Sequence, residues 1–189
     1  MRHKYETRGI VLFRSPLGEA NVLLALLTAD LGLVRARAQG LRRPGAKLAA
    51  ALATFAESDL VLVRGKEEWR VAGAVLAENR FRGMRAAAPR IRAVRFSGLL
   101  LRLVAGEERD AALFPVLYGF FDALSTLPSE LHDAAEVLAA LFMLRVLGLD
   151  GGDAPAGAGA FTPGALAEVA RERAAYVARV NRGIAASGL

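Results

Sequence analysis

Arg35, Arg37, Arg42, Arg43 and Lys47 fall within the stretch GLVRARAQGLRRPGAK, and no Asp or Glu occurs between Asp30 and Glu57. Fixed cations without acids among them do electrostatic chemistry, neutralising a polyanion with regularly spaced charges, of which nucleic acid is the obvious example. Leu33 to Gln39 alternates as a half-buried strand does, with Val34, Ala36 and Ala38 on one face. Arg35 and Arg37 therefore project together from the other face, roughly 7 Å apart by the strand rise. Gly40 and Pro44-Gly45 then break the pattern and make a loop carrying Arg42, Arg43 and Lys47. The plainer reading of such a run is a solvated strand face and a soluble loop.

Other residues bear on the same chemistry. Arg64, Lys66 and Arg70 flank a turn at Gly65-Lys66-Glu67 and extend the basic surface, although Glu67 and Glu68 offset them. Trp69 is poised between a base-stacking platform and a core residue, whereas burial tendency assigns Phe13 and Phe55 to the core. Arg92, Arg95 and Arg102 share a broad polar side of a helix, which would seat an acidic peptide or simply face water. Bond-making chemistry finds no support. The chain has no cysteine, and its two histidines, His3 and His132, are far apart with no third ligand in view. There is no phosphate-cradling glycine motif, nucleophile–base pair or carboxylate cluster for a catalytic metal. Glu107, Glu108 and Asp110 fall at an inter-helix turn, where acids are routine. No enzyme activity, metal or cofactor is expected.

The elements that must position these residues follow from periodicity. Strands are predicted over Tyr5–Arg14, Asn21–Thr28, Leu33–Gln39, Ser58–Arg64 and Trp69–Leu76, with a turn at Ser15-Pro16-Leu17-Gly18. Alanine-rich Leu48–Phe55 predicts a short helix between the third and fourth strands. Three strands, a helix and two strands is the element order of an OB-fold barrel, which binds oligonucleotides on strands two and three and adjoining loops. Beyond Glu78 the pattern becomes helical: 88–105, 110–127, 129–147 with Ser129 as N-cap, and 164–186 opened by Thr162-Pro163. Asp150 to Gly159 reads as a Gly/Ala/Pro linker. The predicted fold class is α+β, an OB-fold nucleic-acid-binding domain over residues 1–80 and a helical domain over 81–189, with the linker (150–160) inside it. Charge divides the same way. Residues 1–90 carry 16 Lys/Arg against 8 Asp/Glu, and residues 91–189 carry 9 against 11. The basic character belongs to the N-terminal half. With no signal-peptide core at the N-terminus and no apolar run of membrane-spanning length, a cytoplasmic protein is expected.

One resemblance covers Thr7 to Lys47. Arg8-Gly9-Ile10-Val11-Leu12, Leu17-Gly18-Glu19-Ala20, Leu27-Thr28, Gly32-Leu33-Val34 and Ala38-Gln39-Gly40-Leu41-Arg42-Arg43 resemble, in order, the N-terminal domain of the bacterial recombination mediator RecO family. The similarity continues more weakly through Phe55, Leu60-Val61-Leu62 and Arg64-Gly65, then in Leu144-Arg145-Val146-Leu147-Gly148-Leu149. The resemblance implies an OB-fold joined to a helical domain in a protein that binds single- and double-stranded DNA. It further implies partnership with RecR and single-stranded-DNA-binding protein, strand annealing, help in loading RecA, and a place at the nucleoid. DNA contact is carried over to Arg35, Arg37, Arg42, Arg43 and Lys47. Many family members carry a four-cysteine zinc module after the segment matching Leu149; here the linker takes its place. The alternative is a protein-interaction scaffold whose barrel is structural and whose DNA affinity is low.

Overall fold

The structure is a computed structural model that describes residues 3–66, 68–104, 110–155 and 161–189. Five strands lead: β1 (Lys4–Leu17), β2 (Asn21–Thr28), β3 (Gly32–Ala38), β4 (Ala56–Arg64) and β5 (Trp69–Asn79). Among the described residues six α-helices follow: α1 (Arg80–Gly83), α2 (Ala87–Leu103), α3 (Leu113–Thr126), α4 (His132–Val146), α5 (Pro163–Arg171) and α6 (Arg173–Ala186). The chain divides into two compact units, residues 3–83 with 110–114 and residues 84–104 with 115–189.

The strands close into a barrel in the order β1-β2-β3-β5-β4, all neighbours antiparallel except β3 and β5. The expected OB-fold architecture and α+β class are thus present. Val11, Leu24, Leu26, Val34, Ala36, Leu60 and Leu62 fill the barrel, each one buried. The β2–β3 turn is held locally: Thr28 Oγ1 donates to the Gly32 carbonyl (2.9 Å) and accepts from Leu31 N–H (3.0 Å). Gly32 takes a positive φ of 66° there, a conformation that costs glycine nothing. The parallel β3–β5 seam is short, pairing only Ala36 with Trp69 and Arg37 with Arg70.

Several expectations need correction. The segment 48–55 is not a helix but a series of turns, with three-residue bonds such as Ala49 N–H to Ala46 O (3.0 Å) and Ala53 N–H to Ala50 O (3.3 Å). Tertiary partners override alanine's propensity here. Ser58 Oγ donates to Ala51 O (2.7 Å), Phe55 N–H donates to Val11 O (2.8 Å), and Phe55 is turned to φ 59°. Ala51, Leu52 and Phe55 are buried as a result. The turn expected at 15–18 is strand as far as Leu17. Pro16 lies where β1 has left β4 and pairs only with β2, so its missing N–H breaks no second ladder.

The helical unit also departs in detail. Ser129 opens a 3-10 turn, Ser129–Leu131, and α4 starts at His132 without a side-chain cap. The single last helix is two, interrupted at Glu172. Thr162 does cap α5, its side chain accepting from Ala165 N–H at 3.2 Å. The start of the expected linker is tied down, because Arg179 grips both carboxylate oxygens of Asp150 at 2.6 Å and the Asp153 carbonyl at 2.6 Å. The remainder of that linker, 156–160, lies outside the described residues. Among the described residues no helix is long and apolar enough to cross a membrane.

Candidate nucleic-acid interface

A one-residue irregularity in β1 decides what the barrel shows to solvent. Val11 pairs with Leu26, but Phe13 pairs with Ala25, so Leu12 is an extra residue and the register shifts. Alternation resumes one step out of phase. Leu12 is buried, and Phe13, expected in the core, is 54 % exposed. Phe55 is buried as expected.

Residues directly opposite in antiparallel strands share a face. The pairings Phe13–Ala25 and Ala25–Arg35 therefore set a row across β1, β2 and β3 on the outer surface. The next row is Ser15–Leu23–Arg37, continued onto β5 by Arg70. In the other direction the outer row Ile10–Leu27–Leu33 is fully buried. The open part of this face is consequently the half that carries Phe13, Arg35 and Arg37.

The basic loop is stapled to the same end. Asn21 Oδ1 accepts from Gly40 N–H (3.1 Å), Arg42 N–H donates to Ala20 O (3.1 Å), and the Arg42 guanidinium donates to Gly18 O (2.8 Å). Leu41 is drawn into the core, which fixes the root of the loop and turns Arg42 and Arg43 outward. A carbonyl removes no charge, and a guanidinium keeps further donors after one bond, so Arg42 stays available to an anion. Arg35, Arg42, Arg43 and Lys47 are exposed, and among the described residues no ion pair holds them. Arg37 is half-buried, 3.7 Å from Glu68, with its Nε buried and lacking a hydrogen-bond partner.

Around the β4–β5 turn the picture is mixed. Lys66 is exposed and Arg70 half-buried. Arg64 lies 4.9 Å above the Trp69 ring, a cation–π arrangement. Trp69 itself is 8 % exposed, packs edge-on against Tyr5 with centroids 5.1 Å apart, and belongs to the core cluster. The ring is thus engaged inside the barrel rather than open on its surface. Glu67 lies outside the described residues.

The helical-unit arginines are arranged differently. Arg92 and Arg95 both bond to Glu136, Arg95 through two nitrogens, and Arg92 also reaches Asp133 at 3.5 Å. The hydrogen bond to Glu136 raises the Arg95 pKa. Asp133 is held below the ordinary carboxylate range, first by its bond from Arg173. Arg102 is exposed. The face read as seating an acidic peptide or simply facing water therefore already has acids on two of its three arginines. Those acids lie more than forty positions away in sequence, so spacing could not have disclosed them.

A closed five-stranded barrel of this order, with cations on the outer face of its third strand, defines the chain's N-terminal unit as an OB-fold. Residues 1–80 match the family described as recombination protein O, N terminal. The DNA repair protein RecO of Rubrobacter xylanophilus is 34 % identical over 120 residues, which is 64 % of this chain and 48 % of that protein. That of Gloeobacter violaceus is 30 % identical over 146 residues, covering 76 % and 55 % respectively. That of Heliobacterium modesticaldum is 32 % identical over 143 residues, covering 76 % and 50 %. The chain spans about half the length of these curated relatives. By these matches, strongest in its first 80 residues, the chain belongs to the RecO family.

Proposed function

We propose that the chain is a non-enzymatic DNA-binding mediator of recombinational repair. The observation that carries this reading is the solvent-facing set Arg35, Arg42, Arg43 and Lys47 beside Arg37, on one strand and the loop that leaves it. These groups would neutralise phosphates of single- and double-stranded DNA and release counterions, which gives salt-dependent, sequence-tolerant affinity. Annealing then requires only that two strands be held close while their mutual repulsion is screened. Arg64, Lys66 and Arg70 would extend the contact, Arg70 most directly because it pairs with Arg37 across the seam.

Membership of the RecO family supports the remaining partners: RecR, single-stranded-DNA-binding protein, and RecA as the protein finally loaded. The acidic tail of single-stranded-DNA-binding protein would meet Arg102 directly, and Arg92 and Arg95 only by displacing Glu136. The deciding experiment replaces Arg35, Arg37, Arg42 and Arg43 with alanine and titrates labelled single strands at two salt concentrations. Affinity and salt slope should both fall; unchanged values would dismiss DNA binding by this face. A strand-annealing assay with and without the cognate single-stranded-DNA-binding protein then tests the mediator role.

A further inference from the structure

On the outer barrel face Phe13, Ala25 and Arg35 stand in one row on three adjacent strands. We propose that this row is a seat for one unstacked nucleobase, with Phe13 as its stacking platform, a reading that rests on the DNA-binding function above. Ala25, the small residue between two large ones, is 3 % exposed, so a base would lie on the open ring of Phe13, with Arg35 on the far side of this covered floor. The two flanking strands are separated by two inter-strand spacings, roughly 10 Å. That span leaves an aromatic ring to one side of the floor and a cation to the other, the pairing that a base and its neighbouring phosphate require.

Three further observations favour a base over another occupant. Phe13 is the aromatic residue most exposed among the described residues, at 54 %. Beyond its apolar neighbour Ala25 the face turns cationic: Arg35 lies in the same row and Arg37 in the next, and the loop with Arg42 and Arg43 leaves their strand, β3. The buried row Ile10–Leu27–Leu33 closes one side of the seat, leaving Ser15 and Leu23 as the continuation along which a strand would run. A base within a duplex has both faces stacked and cannot lie on the ring. The seat consequently distinguishes single strands from duplex, whereas the arginines alone do not.

The test uses the full chain and its Phe13→Ala, Phe13→Trp and Arg35→Ala variants. Each is titrated with a labelled oligothymidylate and with a loop-free duplex of two annealed strands of equal charge, at two salt concentrations. Phe13→Ala should weaken single-strand binding about 5- to 100-fold, leave duplex binding within about twofold and leave the salt slope unchanged; Phe13→Trp should restore the loss. Arg35→Ala should weaken both substrates and flatten the slope. If Phe13→Ala binds single strands like the parent while Arg35→Ala does not, the seat is refuted and the DNA-binding face stands. Equal loss on both substrates, or no rescue by tryptophan, also refutes it. A parent protein that binds neither substrate overturns both readings. Phe13 is exposed, so the variants keep the fold, which an unchanged urea midpoint verifies.

Discussion

Glu68 holds its carboxylate 3.7 Å from the guanidinium of Arg37, across the seam where β3 meets the start of β5. Both side chains are partly in water, at 32 % and 49 % exposure, so the pair is weak and exchangeable. On the proposed DNA-binding reading, the acid competes with a phosphate for Arg37. Glu68→Gln should tighten DNA binding severalfold at low salt and steepen the salt dependence by less than one ion. Equal affinities in a side-by-side titration would show that Arg37 does not reach the DNA.

Where β5 leaves the barrel, Arg80 places Nε and Nη2 at 2.7 and 2.6 Å from Glu57, and both residues are buried. Arg8, 3.7 Å from Glu57, and Glu78, 3.3 Å from Arg80, join the network. Removing one partner strands a buried charge, so Arg80→Met should cost about 3–5 kcal/mol. The double variant Arg80→Met/Glu57→Leu should recover much of that loss. Urea unfolding of the two variants gives the comparison.

Gly9 of the Arg8-Gly9-Ile10 motif sits where a Cβ would meet Leu60 Cδ1 at 2.7 Å and the Leu27 carbonyl at 3.2 Å. Leu60 is buried and the carbonyl belongs to the β2 ladder, so neither yields freely. Gly9→Ala should destabilise the barrel by about 1–3 kcal/mol through overpacking. Thermal unfolding of that variant measures it; a neutral result would mean the β1–β4 sheet gives more than its packing suggests.

In the helical unit Tyr176 donates its hydroxyl to Glu168, and its pKa is pushed up to about 12 by burial first and by that carboxylate second. A folded-state pKa above the unfolded value of about 10 favours the neutral phenol in the native state. This contribution is complete below pH 10 and drains away between about pH 10 and 12. Tyr176→Phe removes the titration. The stability gap between parent and variant should therefore be constant up to about pH 9 and change across that alkaline window, followed by denaturant midpoints.

How much of this was legible beforehand differs from residue to residue. Arg35 and Arg37 announced themselves because β3 alternates, pairs with β2 without a register shift, and is joined to it by a turn that Thr28 and Gly32 encode locally. Phe13 was misplaced because a bulge at Leu12 leaves no mark in composition yet reverses every side chain beyond it. The helix expected over 48–55 failed for a different reason: its backbone bonds to Val11 and Ser58, partners that propensity cannot see. The same applies to Arg92 and Arg95, whose neutralising Glu136 comes from another helix. Local signals were readable; non-local partners and a single inserted residue were not.

Among the described residues, ladder pairing joins β3 to β5 only at Ala36–Trp69 and Arg37–Arg70. The cylinder is therefore fastened by a clasp two rungs long, while β3 hangs from β2 along its whole length. Thermal breathing should unbutton it at that clasp first, swinging the arginine-bearing strand outward as a flap that stays attached to its hairpin. Amide exchange at Ala36 and Arg37 faster than at Leu24 and Leu26 would record the motion.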